Sequence, residues 1–185
     1  VGVLEQGFEH EPVLVNEVVE HLNPRDSGVY FDGTVGGGGH AEAILRHAPG
    51  ARYIGVDRDP QAIQASRERL APFGERVTLT QGNFQDLETI LSSVGVGLVD
   101  GVLLDLGVSS HQLDVEARGF SYWGDAPLDM RMGPDAPQTA AELVAGLDVG
   151  ELTRIFQEYG EERFAARIAR AIVGSRAKRP IHTTS

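Results

Sequence analysis

Short apolar runs alternate with helically spaced ones along the first hundred residues. From Glu11 to Leu22 the residues Leu14, Val18, Val19 and Leu22 recur on one helical face, and Asn23 and Pro24 end the repeat, so an amphipathic helix is predicted there. Tyr30 to Gly33 reads as a first strand, Ala41 to His47 as the helix after it, and Arg52 to Asp57 as a second strand. Asp59 followed by Pro60 is an N-cap with proline at the first helical position. Ala62, Ile63, Ser66 and Leu70 then repeat at helical spacing until Pro72 and Gly74. Val77 to Thr80 predicts a third strand, and Leu87 to Val94 a helix. Leu98 to Asp105 predicts a fourth strand that is almost continuously apolar, as a strand buried on both faces is.

Strands alternating with helices imply an α/β fold with a parallel sheet covered on both sides. Beyond Leu106 the pattern changes. Residues 107–137 are rich in Gly, Pro, Asp and Ser, with Phe120, Tyr122, Trp123, Met130 and Met132 among them, and a loop of this length is uncommon unless it has a function. Helices are predicted from Thr139 to Ala145, Val149 to Tyr159 and Glu162 to Arg176. In the last, Phe164, Ile168 and Ile172 form an apolar stripe and Arg163, Arg167 and Arg170 a basic one. The expected organisation is an α/β body over 1–106, a loop over 107–137 and helices over 138–185. With no strand beyond the fourth, that strand would be an apolar edge, and the chain is expected to be part of a longer protein.

The length of 185 residues suits one domain with a modest appendage, and 41% apolar content can form an ordinary core. The absence of cysteine excludes disulfides and thiolate metal sites and fits a cytoplasmic location. No apolar run is long enough to cross a membrane as a helix, and the first ten residues carry acids where a signal peptide would carry bases. A net charge of −11 argues against a nucleic-acid partner, but the charge is unevenly spread. Residues 1–150 hold 9 basic and 23 acidic side chains, whereas 151–185 hold 7 and 4. The Arg163, Arg167, Arg170 stripe is open to two readings, a solvated face or an RNA contact.

The chemistry concentrates where the first strand ends. Asp32 and Gly33 lead into Gly36 to His40, and Gly36 to Ala41 satisfies the dinucleotide fingerprint, with Asp57 about twenty residues on. A nicotinamide cofactor brings a pyrophosphate, which favours bare glycines and a helix N-terminus. S-adenosylmethionine brings a cationic sulfonium and no phosphate, so an acid beside the loop favours it. Asp32, Asp57 and Asp105 all fall at carboxyl ends of strands, where open α/β sheets bind ligands. Each has a plainer reading: a turn for the glycines, a helix cap for Asp57, a strand-end turn for Asp105 and a solvated ring for His40.

Taken together, several stretches resemble the bacterial MraW family. They are His10 to Leu14, Phe31 to His40, Asp57 to Pro60, Gly82 to Phe84, Asp105 to Ser110, Gln112 to Asp114, Arg118 to Ser121, Pro127 to Met132 and Glu158 to Phe164. The resemblance implies a Rossmann-like class I methyltransferase sheet, here its first half, with an inserted helical domain beginning after strand four. It implies an S-adenosylmethionine-dependent enzyme that modifies the N4 amine of a cytidine in small-subunit ribosomal RNA, within the assembled subunit. Carried over by position, the cofactor contacts would be Gly38, Gly39, His40, Asp57, Phe84, Asp105 and Gln112, with Phe84 as a wall for the adenine. Members of the family continue past the point where this chain ends.

The exocyclic amine of cytosine is a poor nucleophile, so transfer needs in-line placement and an acceptor for the departing N–H proton. Other amino-methyltransferases place an Asp/Asn-Pro-Pro-aromatic run after strand four. Here that place lacks the prolines and the aromatic, leaving Asp105 open between cofactor contact and amine acceptor, with Ser109, Ser110 and Asp114 as weaker candidates. Phe120, Tyr122 and Trp123 either offer a stacking surface to an extruded base or pack the loop onto the body. Two rivals are a nicotinamide oxidoreductase and a non-catalytic binder of S-adenosylmethionine.

Overall fold

The computed structural model describes residues 12–109, 112–113 and 115–185. Two compact units divide the chain, 1–109 and 110–185. The first is the α/β body. Helix α1 (Val15–Leu22) precedes strand β1 (Val29–Asp32). Then follow α2 (Gly39–His47), β2 (Arg52–Asp57), α3 (Pro60–Leu70), β3 (Val77–Gln81), α4 (Leu87–Ser93) and β4 (Gly101–Leu103). The strands form a parallel four-stranded sheet in the order β3-β2-β1-β4, so the expected α/β, Rossmann-like parallel arrangement is what the chain adopts.

Period-two alternation splits each central strand between two cores. Tyr30 and Tyr53 point to one face, where Ile44 and Leu45 of α2, Ile63 and Leu70 of α3, and Val18, Val19 and Leu22 of α1 cover them. Phe31, Ile54 and Val56 point to the other, against Ile90 and Leu91 of α4 and Val96. Helix α3 starts as its sequence dictates: the Asp59 carboxylate accepts the Gln61 N–H at 2.9 Å, with Pro60 in the first turn.

The fourth strand departs from expectation. Of the apolar run 98–105 only Gly101–Leu103 enters the ladder, and it pairs with β1 alone. Leu98 is 88% exposed, and Val102, Leu104 and Leu106 also face solvent, so the strand is not buried on both faces, although it is the apolar edge expected of a fourth strand with no partner beyond it. One side of β4 is spent on β1 and no described strand lies on the other, which makes it the edge; separately, the exposed side chains of the run are left uncovered by the described residues. Close packing on the paired side rests on Gly101, where a Cβ would come within 2.6 Å of the Leu22 side chain.

The second unit contains helices α5 (Ala140–Gly146), α6 (Val149–Glu158) and α7 (Ala165–Arg176). Capping boxes start α5, through Thr139 and Glu142, and α6, through Asp148 and Glu151. Arg176 donates to the carbonyls of Val144 and Leu147, satisfying the orphan acceptors at the end of α5. The buried residues of α7 are Ala165 and Ala169, whereas in the expected apolar stripe Phe164 and Ile168 are 47% and 36% exposed and Ile172 is half-buried. Two alanines one turn apart let another helix approach closely, which a Phe and an Ile in those places would prevent.

The long loop is also more ordered than its composition suggests. The Arg118 guanidinium donates to the carbonyls of Arg131 and Met132, both at 3.0 Å, and the Met130 N–H returns to the Arg118 carbonyl. Leu128 and Ala126 then exchange backbone bonds with His182 and Thr184, closing a short antiparallel bridge to the end of the chain.

Candidate cofactor site

The carboxyl ends of the strands collect five of the expected elements: Asp32, the glycine loop with His40, Asp57, Phe84 and Asp105. Gly33 N–H still reaches the Leu103 carbonyl at 3.1 Å, after which the chain leaves the sheet. Val35 N–H is caught by the Val56 carbonyl at 2.9 Å, and Gly38 N–H by the Val35 carbonyl at 2.8 Å. Gly36 and Gly38 take left-handed conformations, with φ of +52° and +80°. Those two turns aim the chain into α2, whose N-cap, Gly38, has no side-chain cap among the described residues.

Asp57 braces this loop from the next strand. One carboxylate oxygen accepts the Gly36 N–H at 2.9 Å and the other accepts the Asp59 N–H at 2.9 Å. Burial raises its pKa, against those two N–H groups, which favour the charged form. Ser66 of α3 holds the same residue from its carbonyl end, donating to the Gly36 carbonyl at 2.6 Å. Asp57 is therefore not the cap of α3, which is Asp59.

Asp32 lies underneath. It is 1% exposed, with one oxygen accepting from the Tyr53 hydroxyl at 2.6 Å and the other from Thr34, through both its N–H at 2.9 Å and its hydroxyl. Burial pushes its pKa up to about 6, opposed chiefly by the Tyr53 hydrogen bond and by Thr34, with the nearby His40 also lowering it. The Tyr53 phenol is pushed well above its ordinary value by its own burial and by the Asp32 charge, so it remains a donor. The Thr34 hydroxyl in turn accepts the Asp105 N–H at 2.7 Å. A polar chain thus runs from β2 through β1 to the end of β4.

The remaining residues differ in setting. His40 is buried, 8% exposed, and its Nε2 donates to the Val13 carbonyl at 2.8 Å. Beside it Pro12 packs so close that a Cβ on Gly39 would lie 2.6 Å from the proline ring. The solvated-ring reading of His40 is thereby excluded: the ring ties the segment before α1 to the first turn of α2. Phe84, half-buried, stands against Gly33, where a Cβ would come within 2.5 Å of the Phe84 Cβ. The Asp105 carboxylate is exposed. Gln112 belongs to the second unit, where its side chain is buried. Ser109 closes the first unit, and Ser110, Asp114, His10 and Glu11 lie outside the described residues.

Four contributors escaped sequence reasoning: Thr34, Tyr53, Ser66 and the Val13 carbonyl. Thr34 and Tyr53 had a weak signal, a hydroxyl two residues from a strand-end acid and a phenol followed by the apolar Ile54 to Val56 of its strand. Ser66 looked like a small core residue of α3, and a backbone carbonyl has no signature.

Comparison with known proteins adds to this geometry. Residues 7–185 match the MraW methylase family. A ribosomal RNA small subunit methyltransferase H from Geobacter sulfurreducens is 56% identical over 178 residues, 96% of this chain and 57% of the relative. One from Heliobacterium modesticaldum is 52% identical over 179 residues, again 96% of this chain and 57% of the relative. A solved RNA methyltransferase from Salinibacter ruber, in complex with S-adenosyl-L-homocysteine, is 23% identical and covers 42% of this chain and 52% of that one. Its TM-score is 0.38, a partial likeness that carries no weight beside the sheet itself. This chain spans a little over half the length of the curated relatives it matches. The match runs almost from end to end of the sequence, and the chain belongs to the MraW methylase family.

Proposed function

We propose that this chain holds S-adenosylmethionine at the carboxyl ends of its strands and serves methyl transfer to the N4 amine of a cytidine in small-subunit ribosomal RNA. The observation that carries this reading is the charge of the crevice. Asp32 is buried beneath a glycine loop that Asp57 braces, and Asp105 stands at the end of the adjoining strand. Three carboxyl groups around one crevice suit a sulfonium and oppose a pyrophosphate, which disfavours the nicotinamide rival.

The residues fit such a cofactor. Asp57 accepts backbone N–H groups of Gly36, Asp59 and Arg58, and its two oxygens retain a lone pair for a ribose hydroxyl. Phe84 beside Gly33 offers a flat apolar wall for the adenine. Gly38, Gly39 and His40 supply main-chain groups at the start of α2 as further proposed contacts. The bound cofactor supplies a methyl carbon made electrophilic by a positively charged sulfur. Asp105 is the proposed proton acceptor: its carboxylate is exposed, while its backbone is fixed to Thr34. As the N–C bond formed and the methyl carbon's bond to sulfur broke, leaving a neutral thioether, the amine's N–H proton would pass toward that carboxylate, so that the nitrogen would not accumulate positive charge.

Asp105→Ala in the longer natural chain should abolish methylation of isolated small subunits while S-adenosylmethionine still binds by calorimetry. Retained transfer would remove Asp105 from the mechanism. Calorimetry with S-adenosylmethionine against NAD on the unaltered chain tests the cofactor itself, and tighter binding of NAD would overturn the reading.

A further inference from the structure

The second unit displays two large aromatic side chains that pack against nothing in its core. Tyr122 is 78% exposed and Trp123 71%, whereas Phe120 in the same stretch is half-buried and accounts for the packing role. Their rings lie against each other, with centroids 5.0 Å apart and planes inclined by 35°. The stretch that carries them is fixed on both sides. Before it, Arg118 is tied to Arg131 and Met132, and Ser121 accepts the Trp123 N–H at 3.1 Å. After it, Gly124 turns with φ of +87°, and Ala126 N–H donates to Thr184 Oγ1 at 3.2 Å. Ala126 also accepts the Thr184 N–H at 2.9 Å, and Ser185 donates to Asp125 at 2.7 Å. A wholly mobile loop could carry exposed aromatics without consequence. Here the backbone is held, and two rings that would each bury 150–250 Å², on the order of a whole core residue, are held in water.

What would cover them is indicated by charge. The end of the chain that braces this stretch is basic. Lys178 and Arg179 are exposed and lead directly into the segment 182–184 that pairs with 126–128. Arg179 lies near enough to Asp125 to help hold its carboxyl below the usual range, after hydrogen bonds from Ser185 and Thr183. At the start of α7, Arg163, just before the helix, and Arg167, on it, both lie over the exposed Phe164 ring, at 5.1 and 4.9 Å from its centroid, and Arg170 continues the stripe. Aromatic faces with guanidinium and ammonium groups on one unit are the composition of a surface for single-stranded nucleic acid. Every base has a π-face to stack, and the backbone brings phosphates.

We propose that Tyr122 and Trp123 form a stacking platform for an unpaired nucleobase of the RNA that this protein modifies. This rests on the methyltransferase reading for the identity of the RNA, but its chemistry is separate from the cofactor crevice. A single-stranded base should stack there, and a base kept inside a duplex should not.

Trp123 is the sole tryptophan of the chain, so its fluorescence reports directly on the platform. The chain would be titrated with a short oligocytidylate and, separately, with an RNA duplex of the same length. The oligocytidylate should quench Trp123 emission and the duplex should not. Tyr122→Ala should weaken binding of the single strand roughly 10-fold, the scale of losing one stacked base. Labelled-strand anisotropy should show Trp123→Ala weakened likewise and Trp123→Phe nearly unchanged. Affinity for S-adenosylmethionine, by calorimetry, should be the same in all three variants. Absence of quenching, equal quenching by duplex, or variants that bind the strand as the parent does would overturn the proposal. So would shielding of Trp123 from acrylamide before RNA is added, since protein would then cover the rings. If the parent quenches with RNA but binds no S-adenosylmethionine, the platform stands and the cofactor reading falls. The reverse result leaves the cofactor and removes the platform.

Discussion

At the scale of single residues, Asp32 stands at an energetic disadvantage that should be visible in folding. Its pKa is raised from 3.8 to about 6 in the folded chain, so between those values the folded state binds the proton more tightly than the unfolded one. The stability contributed by this group is therefore present below pH 4 and lost as pH rises to about 6. The penalty that remains at neutral pH is on the order of 3 kcal/mol at most. Asp32→Asn keeps a carbonyl for Thr34 and lets the Tyr53 hydroxyl serve as acceptor. Urea unfolding at several pH values should show the variant more stable than the parent at pH 8, with the difference shrinking toward pH 4. The same variant should bind S-adenosylmethionine more weakly, because a buried anion beneath the loop is gone; unchanged affinity would remove Asp32 from the site. Asp57→Asn acts differently, since it disturbs both the loop brace and the proposed ribose contact. Calorimetry should record a loss of about 10- to 100-fold in cofactor affinity, the range for hydrogen bonds to a charged group. The sequence marked both acids but not their difference. Two strand-end aspartates look alike until Tyr53 and Thr34 are seen to enclose one and backbone N–H groups to face the other.

At the scale of elements, helix starts were the most legible features. Asp59 with Pro60, Thr139 with Glu142 and Asp148 with Glu151 each cap the helix that local sequence predicts, because capping is a matter of a few consecutive residues. Which face a helix buries was less so. The pattern of α7 offers Phe164 and Ile168 as well as Ala165 and Ala169, and hydrophobicity alone favours the larger pair. The helix buries the smaller pair because backbone approach requires it. Ala169→Leu should accordingly destabilise the second unit by about 1–3 kcal/mol, as overpacking does, whereas Ile168→Leu should be nearly neutral. Thermal unfolding of the two variants side by side checks this, and equal melting temperatures would mean that α7 is not seated on its alanines. Strand β4 shows the same limit. Its apolar run was readable, but whether both faces are covered depends on what pairs with it.

At the scale of the whole chain, the balance of charge separates two tasks. The acidic first unit carries the carboxyl-lined crevice, and the basic residues from Arg163 onward belong to the second. If Arg163, Arg167 and Arg170 meet phosphates, replacing all three by Glu should weaken binding to isolated small subunits and flatten its salt dependence while cofactor affinity is unchanged. Filter binding at two salt concentrations measures this, and an unaltered salt slope would assign the stripe to solvent. Arg176 is excluded from that role, because its guanidinium is already engaged at the end of α5. The sequence by itself determined the order of strands and helices, the glycine loop, the strand-end acids and the family, since each is written in neighbouring residues or in a fixed spacing. Only the tertiary structure decided that Asp32 is enclosed, that His40 binds the Val13 carbonyl, that β4 leaves apolar side chains in water, and that Tyr122 and Trp123 face water. Those outcomes depend on which distant groups meet. Burial and hydrogen-bond satisfaction are properties of that meeting and not of any one segment.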